Sequence, residues 1–293
     1  MNLFINSTIL KVIILMITTT LCSTVMMTLI KLLSIDLHSF IISFFRCFFG
    51  LVILIPFLLK KNIIILKTNN IKLHIARSLI NCISMTTWFF AIGLISLEKI
   101  SAIGFTSPIF ATLLAIIILK EVIKMHHTIA IILGFIGILL IIRPGYIDIN
   151  LGTYSMLTAS ISFAIVIIIV KELSKSDSSL TIIFYMLLFM TPILFFFALS
   201  VWETPSIKNL LLLFMVALFG FASHLCFIES LKITATTVVM PFTYLQLIWA
   251  SLTGFIFFQE KPDIWSWTGG TIVFLAVFYI SYRENFLIKN YEE

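Results

Sequence analysis

Apolar stretches of about twenty residues alternate with short polar breaks along this 293-residue chain. The hydrocarbon core of a bilayer is roughly 30 Å thick, so about 20 mostly apolar residues allow one helix to cross it. The pattern therefore predicts an all-α integral membrane protein with ten transmembrane helices. The predicted spans are 12–30, 39–59, 78–96, 100–119, 127–142, 153–170, 180–200, 210–231, 236–258 and 264–282.

The second five spans repeat the first five at an offset of 139 or 140 residues. Because five is odd, the two copies enter the membrane from opposite sides, which predicts two inverted five-helix repeats, 11–143 and 153–283. Small residues that match between the copies are expected at helix contacts. The aligned pairs include Lys31 with Lys171, Phe105 with Tyr244, Ala111 with Ala250, and Lys120 with Gln259.

Composition supports a membrane protein and argues against an additional soluble domain. Hydrophobic residues make up 61% of the chain and charged residues 11%, against roughly 45–50% and 25% in soluble domains. The first apolar run is longer than a signal-peptide core and nine spans follow it, which predicts an uncleaved helix. The four cysteines lie in separate spans without close spacing, so we expect no disulfide, no metal site and no cofactor.

The net charge of +6 is distributed as in a multi-pass membrane protein, and we expect no nucleic-acid partner. With a cytoplasmic N-terminus, 13 lysines and arginines fall on the cytoplasmic side, 5 fall on the opposite side, and Arg46 alone lies within a span. Lysine and arginine are enriched on the cytoplasmic side, so both termini are predicted to be cytoplasmic. This assignment places Arg77 just outside the third span.

Several motifs resemble the EamA module of the drug/metabolite transporter superfamily. They are His38-Ser-Phe, Phe44-Phe-Arg46, Arg77-Ser, Phe105-Thr-Ser-Pro108, Lys120-Glu121 and Arg143-Pro144-Gly145. The resemblance covers nearly the whole chain and implies a permease of the bacterial inner (cytoplasmic) membrane. It implies S-adenosylmethionine uptake first, with riboflavin or amino-acid and metabolite permeases as alternatives. The expected partners are a small-molecule metabolite, the lipid bilayer and a second copy in a homodimer.

The same resemblance implies that the third, fourth, eighth and ninth helices line a central cavity, which is exposed to each side of the membrane in turn. Polar residues are tolerated in such helices where water reaches them, and aromatic rings there can stack on a purine, an isoalloxazine or a cation. Tyr244 and Gln246 are two positions apart and point to different faces, and Tyr244 is the preferred contact. The candidate substrate contacts are Asn81, Trp88, Ser107, His224, Tyr244 and Trp249.

These polar residues have a local alternative. Serine and threonine in membrane helices usually donate to a carbonyl of their own helix, and we expect this of Ser84, Thr106, Ser107 and Ser223. His224 is the only histidine predicted inside a span, where it is either a hydrogen-bonded packing residue or a pH-sensitive contact.

Two charged residues within spans are candidate gating or charge anchors. Arg46 lies too deep in the second span to face lipid, so we expect it to face the bundle, as an anchor or as a substrate contact. Glu229 lies near the cytoplasmic end of the eighth span, where a salt bridge to Lys232 or the binding of a cation or proton is expected. Glu121 and Glu260 are expected to cap their turns or pair with lysines.

The scarcity of membrane carboxylates favours substrate exchange or facilitated flow over obligatory proton coupling. An intramembrane enzyme is the distant alternative, because the chain lacks an HExxH motif and the paired Asp motifs of membrane transferases. No catalytic residue is therefore expected.

Overall fold

The computed structural model describes residues 7–61, 66–104, 106–120, 125–142 and 150–259, and scattered positions from 264 to 279. Helices and short turns make up these residues and no strand occurs among them, so the all-α prediction is confirmed. The helices of the first half are α1 (Ser7–Leu33), α2 (Ser39–Lys61), α3 (Ile71–Leu94), α4 (Leu97–Gly104), α5 (Thr106–Leu119) and α6 (Met125–Ile142). Those of the second half are α7 (Leu151–Leu173), α8 (Ser179–Leu199), α9 (Ile207–Ile233), α10 (Thr236–Val239), a 3₁₀ turn (Met240–Tyr244) and α11 (Leu245–Phe258).

Six of the described helices, α1, α2, α3, α7, α8 and α9, are long and apolar enough to cross a membrane. Polar side chains in α1 are compatible with lipid, because the hydroxyls of Thr18, Thr19, Thr24 and Thr28 donate to the carbonyl four residues earlier. The chain is therefore a multi-pass membrane protein. The other four predicted spans correspond to α4–α5, to α6, to α10–α11 and to 264–282, so the count of ten stays a prediction.

The backbone repeats the offset seen in the sequence. Helices α5 and α11 end at Leu119 and Phe258, which are 139 residues apart. Each ends at a residue in the left-handed region, with φ of 54° at Lys120 and 55° at Gln259. A left-handed residue of this kind stops a helix, so both copies turn at the same point. Ala111 and Ala250 are fully buried, which confirms that these matched small residues lie at helix contacts.

The principal helix packing runs between the two halves: α1 packs along α9, and α3 packs along α7. A second repeated feature lies where the helices end. Lys31 Nζ donates to the Ile95 carbonyl at 3.4 Å, and Lys171 Nζ donates to the Thr234 carbonyl at 2.7 Å. The core is thus built from two equivalent helix pairs, each of which joins one repeat to the other.

The third span begins earlier than predicted, because α3 begins at Ile71 and not at residue 78. Lys72, His74 and Arg77 lower the hydropathy of its first two turns, but His74 and Arg77 are buried against the neighbouring helices. Arg77 therefore lies inside α3. The predictions that Arg46 is the only basic residue within a span and that His224 is the only histidine there are both wrong.

Some predicted features lie outside the described residues. The motif Arg143-Pro144-Gly145 and the charged residues Glu121 and Glu260 belong to this group, as does Phe105. Most of the tenth span lies there as well.

Candidate functional site

A cavity of about 170 Å³ lies between helices of both halves. Residues of α1, α3, α4, α5, α7, α9, the 3₁₀ turn and α11 form its wall. Of the described residues in the lining, His224 is the one titratable side chain, and most of the other polar groups are hydroxyls. The hydroxyls belong to Thr19, Thr20, Ser23, Ser84, Ser101, Ser107, Ser160, Ser223 and Thr243.

Three of the candidate substrate contacts line this cavity, namely Trp88 on α3, Ser107 on α5 and His224 on α9. Gln246 reaches the wall from α11, whereas Tyr244 does not. Tyr244 is fully buried, and its ring lies against α6 at Gly134. A Cβ at Gly134 would lie 2.1 Å from Tyr244 Cε2, so the ring fits there only because α6 has a glycine at that position.

Two other candidates lie behind the wall. The Asn81 side-chain amide donates to Met190 Sδ on α8 at 3.3 Å, one turn away from the lining residues of α3. The Trp249 indole donates to the hydroxyl of Thr20 at 3.2 Å and thereby positions a residue that does line the cavity. Contact of any of these residues with a substrate stays a prediction.

The hydroxyl groups follow the expected local pattern only in part. Thr106 donates to the Ile103 carbonyl at 2.8 Å, as predicted. Ser84 instead donates to the Ala159 carbonyl on α7 at 3.0 Å, and Ser223 donates to the Thr19 carbonyl on α1 at 3.1 Å. The prediction of local bonds is wrong for these two serines, because close packing between the halves brings a neighbouring carbonyl within reach.

Ser101 and Ser107 are the exceptional hydroxyls of the lining. Both are at least 95% buried, and neither hydroxyl has a hydrogen-bond partner among the described atoms. A buried hydroxyl without a partner costs about 1–3 kcal/mol, which is regained when a polar ligand supplies the bond. Ser101 lies on α4 and Ser107 lies on α5, so both helices present an unsatisfied polar group to the cavity.

The candidate anchors Arg46 and Glu229 lie away from the main cavity. Arg46 is 4% exposed, and its Nη1 donates to Met85 Sδ at 3.3 Å. Glu229 accepts a hydrogen bond from the Ser179 hydroxyl at 2.5 Å, which joins α9 to the first turn of α8. Its predicted salt bridge to Lys232 stays a prediction.

A polar cluster joins the N-terminal end of α3 to the turn between α7 and α8 and to α8 itself. The Asp177 carboxylate accepts a hydrogen bond from Thr68 at 2.7 Å and lies 2.7 Å from Nε2 of the fully buried His74. Charge-assisted contacts therefore join α3 and the residues before it to the turn between α7 and α8. Further bonds of the cluster join Asn70 to Ser176 at 2.9 Å, Arg77 to the Ile182 carbonyl at 2.7 Å and Tyr185 to the Leu66 carbonyl at 2.9 Å.

The sequence analysis missed Ser101, Ser160 and the threonines of α1 as lining residues. A signal for them existed, because small polar residues in otherwise apolar helices concentrate where helices meet or where water enters. His74 and Asp177 gave no local signal, since they are 103 residues apart in the chain.

Comparison with known proteins agrees with this arrangement. Residues 10–143 and 150–282 each match the EamA-like transporter family. The chain is 30% identical over 254 residues to the S-adenosylmethionine uptake transporter of Rickettsia prowazekii (strain Madrid E), which covers 87% of this chain and 86% of the relative. It is 28% identical over 238 residues to the riboflavin transporter of Vibrio cholerae serotype O1, with 80% of each chain covered.

The fold is similar to that of a solved structure described as "Crystal structure of protein". The TM-score is 0.70 at 12% identity, and the alignment covers 89% of this chain and 95% of that chain. This similarity establishes the fold alone. Both halves of the sequence match one family of membrane transporters, so the chain belongs to the EamA-like transporter family.

Proposed function

We propose that this protein takes up S-adenosylmethionine across the bacterial inner membrane by alternating access. The observation that carries the proposal is the cavity between the two repeats, where Ser101 and Ser107 have no hydrogen-bond partner among the described residues. The substrate is supported by the relative from Rickettsia prowazekii, which is named for this compound.

The chemistry of the lining suits this substrate. A sulfonium over an aromatic face gains about 0.5–2 kcal/mol, and Trp88 offers such a face. Hydroxyls and the Gln246 amide can bond the ribose and the adenine edge. The lining carries no described carboxylate, so recognition of a cation there relies on aromatic and dipolar groups.

We further propose that the repeats are inverted and that both termini are cytoplasmic. The end of α9 at Thr234 bonds Lys171 near the end of α7, and Ser176 beyond α7 bonds Asn70 at the start of α3. The end of α9 therefore lies beside the start of its counterpart α3. The two ends of α3 are about 36 Å apart, so this placement supports opposite directions for the two copies. Self-association as a homodimer stays a prediction.

The small size of the cavity supports alternating access. Ligand pockets usually measure roughly 300–1,000 Å³, and this cavity measures about 170 Å³, so it must widen to admit a nucleoside. The polar cluster at Asp177 closes one end, and its opening is the movement expected to admit or release substrate.

An uptake panel in proteoliposomes tests the proposal, with radiolabelled S-adenosylmethionine, riboflavin and amino acids offered separately. We expect uptake of S-adenosylmethionine, recovered chemically intact, and little of the others. Uptake of riboflavin in its place would overturn the substrate, and chemical conversion of the label would reveal an enzyme. Strong stimulation by an imposed pH gradient would overturn the prediction of substrate exchange or facilitated flow without obligatory proton coupling.

Serine variants test whether this cavity is the path. We expect Ser101→Ala and Ser107→Ala to lower uptake about 3- to 10-fold each, because each loses a bond to substrate. Their melting temperatures should not fall, since neither hydroxyl is bonded within the protein. Thr158→Ala is the matched control, as this exposed threonine bonds only the Tyr154 carbonyl of its own helix. Equal uptake by all three variants would show that the substrate does not pass through this cavity.

A further inference from the structure

A second, smaller cavity lies beside the main one, between α2, α8 and α9. Its volume is about 10 Å³, which is room for about one water-sized group. Arg46 and Gly50 form its wall on α2, and Gly220 and His224 form its wall on α9. His224 also lines the main cavity, so this residue borders both spaces.

The guanidinium of Arg46 is poorly bonded for a buried cation. Its Nη1 donates to Met85 Sδ at 3.3 Å, and Nε has no partner among the described atoms. Sulfur is a weak acceptor, and a guanidinium offers five donors. Of the carboxylates whose side chains the structure describes, none lies within 4.0 Å of it. A buried positive charge of this kind requires an anionic or strongly polar partner.

The duplication provides an internal comparison for this site. At the offsets of the two repeats, four of the six wall residues of α2 and α9 correspond to residues of α8 and α3 that are large or hydrogen-bonded. The corresponding pairs are Arg46 with Met186, Gly50 with Met190, Gly220 with Asn81, and His224 with Met85. In the counterpart, Asn81 and Met190 fill the space with a mutual contact at 3.3 Å. Here Gly220 leaves a small space next to Arg46 and His224, whereas the Leu187 side chain packs against Gly50.

Gly220 provides the room next to the cation. A Cβ at this position would lie 3.1 Å from Arg46 Nε and 2.9 Å from Met26 Sδ. Both distances are shorter than ordinary contacts, so a side chain at residue 220 would occupy the position from which a ligand atom reaches the unpaired Nε.

We propose that the small cavity is an anion site that receives a carboxylate oxygen of the transported molecule. The inference rests on the proposed function and deepens it, because S-adenosylmethionine carries an amino-acid carboxylate besides its sulfonium. One oxygen fits the space beside Arg46, and the rest of the molecule extends past His224 into the main cavity. An inorganic anion such as chloride carries the same charge as a carboxylate. The experiment therefore distinguishes a substrate carboxylate from an inorganic anion.

Binding is tested first, on the purified full-length protein. We compare its melting temperature in sodium acetate, in sodium chloride of equal ionic strength, and in chloride with acetamide added as the neutral analogue. Acetate is expected to raise the melting temperature above both other conditions. The rise is expected to vanish in Arg46→Gln and to persist in Lys208→Gln, which removes an exposed positive charge. Equal protection by chloride would assign the site to an inorganic anion, and a rise that persists in Arg46→Gln would overturn the proposal.

A second variant covers the case in which Arg46→Gln does not fold. Gly220→Ala keeps the charge and fills the space, and we expect it to lose the response to acetate. Gly93→Ala is its control, because a Cβ there meets Ser34 at a similarly short 3.3 Å but far from the cavity lining. A full acetate response in Gly220→Ala would overturn the proposal.

Transport then identifies the carboxylate as that of the substrate. Wild-type uptake is expected to be inhibited about 10- to 100-fold better by S-adenosylmethionine than by its carboxamide, as for loss of a charged hydrogen bond. This ratio should fall toward one in Arg46→Gln. An equal ratio in both proteins would overturn the carboxylate assignment. If the wild type does not take up S-adenosylmethionine at all, the proposed function fails while the acetate measurement still decides the anion site.

Discussion

The two ends of the bundle have the same backbone arrangement but different side chains. At the N-terminal end of α3, His74 and Asp177 form a buried contact at 2.7 Å. Their counterparts at the opposite end are Leu213 and Leu37, both buried and apolar. Opening the first end must break the contact between His74 and Asp177, whereas the apolar side chains of Leu213 and Leu37 can repack gradually. The difference teaches that opening the two ends requires unequal free energies, although one repeated fold builds both.

The largest effect is expected from copying the polar contact to the apolar end. Leu37→Asp and Leu213→His should each destabilise the protein by about 3–5 kcal/mol, because each buries a polar group without a partner. The double variant should recover at least about 1 kcal/mol if the pair forms. Melting temperatures of the three variants measure this coupling. Additive losses in the double variant would show that the two ends are not equivalent.

Removing the charge from the polar end should have an intermediate effect. Asp177→Asn keeps the shape but loses the charged acceptor for Thr68 and His74, at a cost of about 1.5–3 kcal/mol. We expect a lower melting temperature and faster labelling of a cysteine introduced at Asn70. The control is Glu203→Gln, which removes an exposed carboxylate outside the cluster. Unchanged labelling in Asp177→Asn would mean that the cluster does not close this end.

The smallest effect concerns a side-chain hydrogen bond of asparagine that recurs at both ends. Asn70 donates to Ser176 at 2.9 Å, and its counterpart Asn209 donates to Asp36 at 3.3 Å. Asn70→Ala and Asn209→Ala should each cost about 0.5–1.5 kcal/mol, as for a typical hydrogen bond. Equal shifts in melting temperature would attribute the difference in stability between the two ends to the contact between His74 and Asp177. A loss several times larger in Asn209→Ala would show that the apolar end depends on this bond.

Much of the fold followed from the sequence because hydropathy reports burial in lipid directly. The six long helices, the offset that relates α5 to α11 and the matched alanines were all predicted from residue types and spacing. The resemblance to a family placed three residues at the cavity, namely Trp88, Ser107 and His224. Helical periodicity is consistent with inward-facing positions for them.

The remainder depended on contacts that a linear pattern does not contain. The start of α3 was placed too late because a polar turn lowers hydropathy whether it faces water or a buried partner such as Asp177. The spacing placed Tyr244 and Gln246 on different faces but did not identify the face that meets the cavity, because the 3₁₀ turn has 3.0 residues per turn and so rotates the following face. Ser101 was missed because its unpaired state emerges only when the surrounding helices are in place.

The packing of α1 along α9 has a consequence for how the protein is made. Ser223 bonds the Thr19 carbonyl across 204 residues of sequence. At a synthesis rate of about 5–20 residues per second, α1 waits roughly 10–40 s in the membrane before its partner leaves the ribosome. During that interval the hydroxyl-bearing face of α1 has only lipid, early helices or the insertion machinery to cover it. Biogenesis, and not only transport, therefore constrains which residues α1 can carry.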